Sequence, residues 1–166
     1  ALTIIDSSVT GLACVKKETT RNSVRDRTSG RTAIVKLTGD DRPVPLNSMG
    51  DGMHRVLQLI LAMFPARGGI FLIDEFENGL HYSVQEKVWS LIFQLATILD
   101  IQVFATTHSR DCIDAFAKIA KAERTVEGVM FRISRGVTAQ TSGEVIATVY
   151  DEEKLERLTA AEIELR

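Results

Sequence analysis

Cysteine is nearly absent. Cys14 and Cys112 are the two in the chain, far apart and in no C-x-x-C arrangement. That excludes a disulfide framework and points to two reduced, packed thiols in a cytoplasmic protein. The three histidines, His54, His81 and His108, stand alone, so no zinc spacing exists. Neither charge sign dominates: 20 Lys and Arg face 22 Asp and Glu, for a net charge of −2. No global basic field is available for nucleic acid or an anionic membrane. Long apolar runs are missing too. The longest, 56–64, is interrupted by Gln58 and is far shorter than the ~20 residues of a membrane span. No G-x-S-x-G occurs and Ser48 has no evident base, which argues against a nucleophilic hydrolase. Internal repeats and low-complexity tracts are absent.

What remains is enough for one domain. Of 166 residues, 45% are hydrophobic, so a real core is expected and disorder is not. Residues 2–5 and 12–15 are β-prone. KKETTRNSVRDRTSGR, from residue 16, reads as a polar loop or hairpin tip. AIVKLT at 33–38 reads as a strand, and Pro43 and Pro45 keep the next segment extended. Residues 53–64 read as a helix stopped by Pro65, after a glycine-containing turn at 48–52.

The strand Ile70 to Ile73 is expected to be buried. Ser83 and Glu86 fit a capping box for the helix that follows, with Val84, Val88, Leu91, Ile92 and Leu95 on one face and Trp89 packed. Residues 101–106 form the next strand and 109–121 the next helix, with Ile113, Phe116 and Ile119 inward. A two-strand tail, 128–133 and 144–150, leads to a final helix capped by Asp151. Two short strands joined by one helix make a βαβ unit with parallel strands, and the fold class is α/β.

Ligands of parallel sheets bind at the carboxyl ends of the strands. One such end reads Asp74-Glu75 and the next Thr107-His108, so Glu75 and His108 are expected to share a crevice. A carboxylate can hold the water shell of Mg²⁺, and its neighbour can orient or deprotonate an attacking water. A nearby imidazole can bond a phosphate oxygen. The plainer alternative is that the acids cap a turn and His108 is a packed loop residue. Ser48, Gly50 and Gly52 precede a helix whose N-terminus suits a phosphate, although an ordinary capped turn looks similar. Arg55, one turn in, is a candidate for a phosphate or an acid across a dimer; a solvated face is the alternative.

In this order, Ser48-x-Gly50-x-Gly52, then IFLIDE, then ATTHS, the motifs resemble the C-terminal half of an ABC-type ATPase head. The likeness is to AAA-family ATP-binding proteins similar to DNA-repair, chromosome-maintenance and bacterial defence ATPases, and it runs from about Leu46 to Phe116. It implies the C-terminal part of a P-loop NTPase fold: mainly parallel core strands, flanking helices, and a C-terminal hairpin plus helix. It further implies that Ser48, Gly50 and Gly52 contact the γ-phosphate of ATP on a partner subunit. Asp74 would be the magnesium-associated Walker B acid, Glu75 the catalytic base and His108 the switch histidine. Asn78 would belong to the D-loop that crosses a homodimer interface. ATP and Mg²⁺ are the implied cofactors.

Two departures qualify the resemblance. SMGDG replaces the transporter-type signature, which points away from membrane transport. No G-x-x-x-x-G-K-[ST] occurs in residues 1–166. The expectation is a single partial head, beginning midway, whose N-terminal Walker A half is elsewhere. Such a chain would be inactive alone. DNA or a neighbouring effector protein are open as partners. A regulatory module that kept the fold without chemistry is the competing reading. An ATPase fused to a nuclease, as in the overcoming-lysogenisation-defect family, is disfavoured because no second acidic cluster follows His108.

Overall fold

The computed structural model describes residues 2–16, 30–123, 127–136, 143–150 and 154. The final helix expected after Asp151, and most of the polar stretch from residue 16, lie outside the described residues.

After a 3-10 turn at Leu2–Ile4, strands β1 (Val9–Lys16), β2 (Arg31–Leu37) and β3 (Val44–Pro45) form an antiparallel sheet. Residues 2–5 are therefore not a strand. Ile5 and Asp6 amides both donate to the Leu2 carbonyl, closing a turn instead. Leu46–Met49 is a second 3-10 turn and leads into helix α1 (Asp51–Met63). Helix α1 stops one residue before Phe64–Ala66, where Pro65 sits in a 3-10 turn. Then come β4 (Ile70–Ile73), α2 (Tyr82–Leu99), β5 (Gln102–Ala105) and α3 (Arg110–Ala122). The tail is the antiparallel pair β6 (Met130–Arg135) and β7 (Val145–Tyr150).

Strands β4 and β5 pair in parallel, with Ile70 opposite Gln102 and Ile73 opposite Ala105, as the βαβ spacing requires. The core lies on one side of this pair. Met53, Val56 and Met63 of α1 and Val88, Trp89 and Ile92 of α2 are buried with Ile73 and Phe76. The other side is open. Ile70 is 60% exposed, Leu72 72% and Phe104 46%. The expectation of a fully buried β4 is thus corrected: Ile73 alone in that strand is buried.

Helix α2 begins earlier than the capping-box reading. Its cap is His81, extended at φ −64° and ψ 142°, whose Nδ1 lies 3.4 Å from the Ser83 amide and 2.8 Å from the Ser83 hydroxyl. Ser83 is inside the helix and its hydroxyl serves the His81 ring. The α2 C-terminus closes through Asp100 in the left-handed region, φ 55°. Trp89 stacks on Phe76, with centroids 3.8 Å apart, and its indole N–H donates to the Cys112 carbonyl at 3.3 Å. That contact fixes α3 against the end of β4. On α3, Cys112, Ala115 and Ala120 are the buried residues, while Phe116 and Ile119 pack partly against the core. Among the described residues, no helix is long and apolar enough to cross a membrane.

Candidate functional site

The ladder between β4 and β5 continues beyond both strands. The Thr106 amide donates to the Ile73 carbonyl, and the Phe76 amide donates to the Thr106 carbonyl, each at 2.9 Å. Asp74 and Glu75 therefore leave the sheet at a fixed place beside Thr106. The Thr106 hydroxyl donates to Asp74 Oδ1 at 2.6 Å and accepts from the Glu75 amide at 2.9 Å. Both acids are exposed. Glu75 holds a positive φ of 47°, a conformation that costs a non-glycine residue about 1 kcal/mol or more. Two bonds surround that conformation. The Asn78 backbone amide donates to the Glu75 carbonyl at 3.0 Å, and the Asn78 side chain donates to Glu75 Oε2.

Arg55 turns inward from α1. Its guanidinium donates to the carbonyls of Asp74 at 3.2 Å and Glu75 at 3.4 Å. Arg55 is thus not simply on a solvated face: within the chain it ties the first turn of α1 to the end of β4.

Glu77 joins the two loops. Its Oε1 accepts from the His108 amide at 2.9 Å. Burial pushes its carboxyl up, but hydrogen bonds from the Thr107 hydroxyl, the His108 amide and its own amide, with the charge of His108, outweigh that and hold it below its ordinary value of 4.5. His108 itself is exposed. The described contact of His108 to the loop after β4 runs through its backbone to Glu77.

At the 48–52 turn, the Ser48 hydroxyl donates back to the Pro45 carbonyl at 2.6 Å. Gly50 caps α1 with φ 87° and ψ 164°, and no side chain caps the helix. The first amides of α1 are left without a side-chain partner, as an anion site requires. A depression of about 350 Å³ lies there, lined by Asn47, Gly50, Asp51 and His54. A second, of about 390 Å³, lies between Ile4 and α2, away from the strand ends. Gly52 faces the loop after β4: a Cβ there would stand 3.1 Å from the Gly79 carbonyl. The turn and the Asn78-Gly79 loop are thus neighbours.

The structure brings Asp74, Glu75 and Asn78 together, ties the His108 backbone to the same loop, and packs Gly52 beside it. Ser48 and Gly50, just before α1, are exposed, and no described hydrogen bond ties either of them to the acid loop. Sequence reasoning missed Thr106, Glu77 and the inward turn of Arg55. The signal for Thr106 was present in ATTHS: a hydroxyl at the end of a strand parallel to the one that carries the acids. Among the described residues no group of three metal-ligating side chains occurs. Asp74 Oδ2 takes no hydrogen bond among them, so this hard oxygen is free for a water-rich divalent cation.

Two solved structures share this architecture. One is an SMC ATPase from work on ATP-driven dimerisation and DNA-stimulated activation: TM-score 0.52, 16% identity, covering 97% of this chain and 88% of that one. The other is the Smc head domain of Pyrococcus furiosus with an extended coiled coil, bound to the C-terminal domain of ScpA: TM-score 0.53, 12% identity, covering 96% of this chain and 35% of that one. The fold is therefore that of a P-loop NTPase of the ABC-ATPase type, with mixed α/β layers. Residues 15–112 match the family described as "AAA domain, putative AbiEii toxin, Type IV TA system", and the chain belongs to that family. An "ATP/GTP phosphatase" of Helicobacter pylori (strain ATCC 700392 / 26695) is 31% identical over 93 residues, 52% of this chain. The chain spans 24% of that relative's length.

Proposed function

We propose that this chain is the C-terminal lobe of a nucleotide-hydrolysing head that closes around ATP as a homodimer. The carrying observation is the joined end of β4 and β5, where Thr106 holds Asp74 and Glu75 side by side at the ligand-binding edge of a parallel sheet. Asp74 would hold Mg²⁺ through its water shell, and the cation would supply charge neutralisation to the phosphates. Glu75 orients and accepts a proton from the attacking water. His108 bonds a phosphate oxygen. Ser48, Gly50 and Gly52 present the uncapped start of α1 to the nucleotide held by the sister subunit. Asn78 holds the Glu75 carboxylate in the single chain.

A second lobe, bearing the phosphate-cradling loop, covers the open face of β4 and β5. Parallel strands are almost always buried on both faces, yet Ile70, Leu72 and Phe104 stand in solvent here. The lobe also supplies the lysine and glycine-rich nest that residues 1–166 do not contain. Without it the chain hydrolyses no ATP. The process served is DNA repair or defence against phage and plasmids, in the cytoplasm, with DNA or a neighbouring effector as partner.

The test is Glu75→Gln in the complete protein. Hydrolysis should stall while ATP-induced dimers persist in sedimentation. Normal turnover by that variant would remove the assigned role of Glu75.

A further inference from the structure

Of the three acids after β4, Glu77 has no role in the scheme above, yet its carboxylate accepts from the His108 amide and so ties the acid loop to the backbone of His108 itself. We propose that Glu77 is a positioning residue for His108: its carboxylate grips the His108 backbone and so sets where the imidazole points. The proposal rests on the ATPase reading for its kinetic consequence, but not for the contact itself.

The base of this grip is rigid. Phe76, on one side of Glu77, is fully buried, and Leu80, three residues on, is 7% exposed. Two overlapping turns close the loop, Asn78 amide to Glu75 carbonyl at 3.0 Å and Leu80 amide to Glu77 carbonyl at 2.9 Å. Phe76 stacks on Trp89, and Trp89 bonds the first turn of α3. The receiving end is short. His108 is followed by Ser109, whose hydroxyl caps α3 by accepting from the Cys112 amide at 3.3 Å. His108 is therefore held between the cap of a helix and a carboxylate from the neighbouring loop. A bond from an amide to an ionised carboxylate is among the stronger hydrogen bonds. Glu77 is half-buried, and its Oε2 is shielded from solvent. Because a side chain's direction follows its backbone, losing the grip frees the imidazole to leave the phosphate oxygen it serves.

The experiment compares Glu77→Ala, Glu77→Gln, His108→Ala and the Glu77→Ala/His108→Ala double variant in the complete protein. Glu77→Ala should lower kcat about tenfold with KM little changed. Glu77→Gln should recover most of that, since its Oε1 can still accept from the His108 amide. In the His108→Ala background, Glu77→Ala should add nothing. Multiplying losses in the double variant, or a loss confined to KM, would overturn the proposal. Amide hydrogen exchange at His108 gives a readout without turnover: faster in the Ala variant, unchanged in Gln. Unchanged exchange in the Ala variant would also overturn it. Should Glu77→Ala not fold, Glu77→Asp, too short to reach, takes its place against Gln. Absence of Glu75-dependent turnover in the parent protein would instead count against the ATPase reading, and the exchange result would still decide the grip.

Discussion

The Thr106 hydroxyl donates to Asp74 Oδ1 at 2.6 Å, across the parallel pair of strands. The same oxygen accepts from the Glu75 amide, so one side chain orients two consecutive acids. Thr106→Val keeps the shape and removes both bonds. We expect a loss of about 1 kcal/mol in stability, read from the denaturation midpoint, since the site is exposed and water can replace part of each bond. In the complete protein, ATP turnover should fall more than stability suggests, because Asp74 and Glu75 lose their common reference. Thr106→Ser should restore turnover. A valine variant with parental turnover would show that the acids are oriented by other contacts.

Three glycines separate backbone strain from crowding. Gly50 has φ 87° and open space where a Cβ would go, so Gly50→Ala costs about 1 kcal/mol through the backbone alone. Gly52 has an ordinary φ, but its Cβ would stand 3.1 Å from the Gly79 carbonyl, which forces α1 away from the acid loop. Gly128 is the most crowded: a Cβ would meet Ala120 Cβ at 2.7 Å and Phe116 at 3.1 Å. Gly128→Ala should destabilise by about 1–3 kcal/mol. Thermal denaturation of the three variants should rank Gly128→Ala as the most damaging to the fold. Gly52→Ala should harm turnover out of proportion to its effect on stability.

Periodicity and turn chemistry were enough to place α1, β4, α2, β5 and α3, and to give the parallel pairing. These are segments where local preference and burial agree. The placement of Asp74, Glu75 and His108 just beyond the ends of two parallel neighbours was legible from the βαβ spacing. Other features depended on tertiary contacts that no local pattern carries. The β-prone residues 2–5 close into a turn, since the Leu2 carbonyl collects two amides. The start of α2 moved to Tyr82 because His81 supplies the cap that Ser83 was expected to give. Arg55 could not be assigned from sequence. Its guanidinium can reach either solvent or a carbonyl, and only the packing of α1 on the acid loop decides it.

The two cysteines should behave as opposites. Cys14 is exposed and Cys112 is fully buried. Burial pushes the Cys112 thiol above its ordinary 9.0, against smaller lowering contributions from Thr107 and Trp89. A raised pKa in the folded state means the neutral thiol stabilises fully below the unfolded value. That contribution is lost as pH rises toward the folded pKa. A disulfide-exchange reagent at neutral pH should therefore titrate Cys14 quickly and Cys112 only as the chain opens. Stability should decline above pH about 9. Cys112→Ala should flatten that decline while lowering stability at neutral pH through lost packing. Equal reaction rates for both thiols would contradict the buried position of Cys112.

The open face of β4 and β5 yields the sharpest contrast between chain and whole protein. Leu72 is 72% exposed, and Ile70 and Phe104 lie exposed on the same pair of strands. A charged residue at 72 has little to lose in the chain as it stands. Leu72→Lys should change the stability of residues 1–166 by within about 0.5 kcal/mol, the usual range for surface substitutions. In the complete protein the same change would place an ammonium beneath the covering lobe, where an unpaired buried charge costs several kcal/mol. There, Leu72→Lys should separate the two lobes, seen as protease cleavage between them and loss of nucleotide binding. Leu72→Met should be tolerated in both settings. If Leu72→Lys bound ATP normally in the complete protein, the covering lobe would have to dock elsewhere, and the open face would need another occupant.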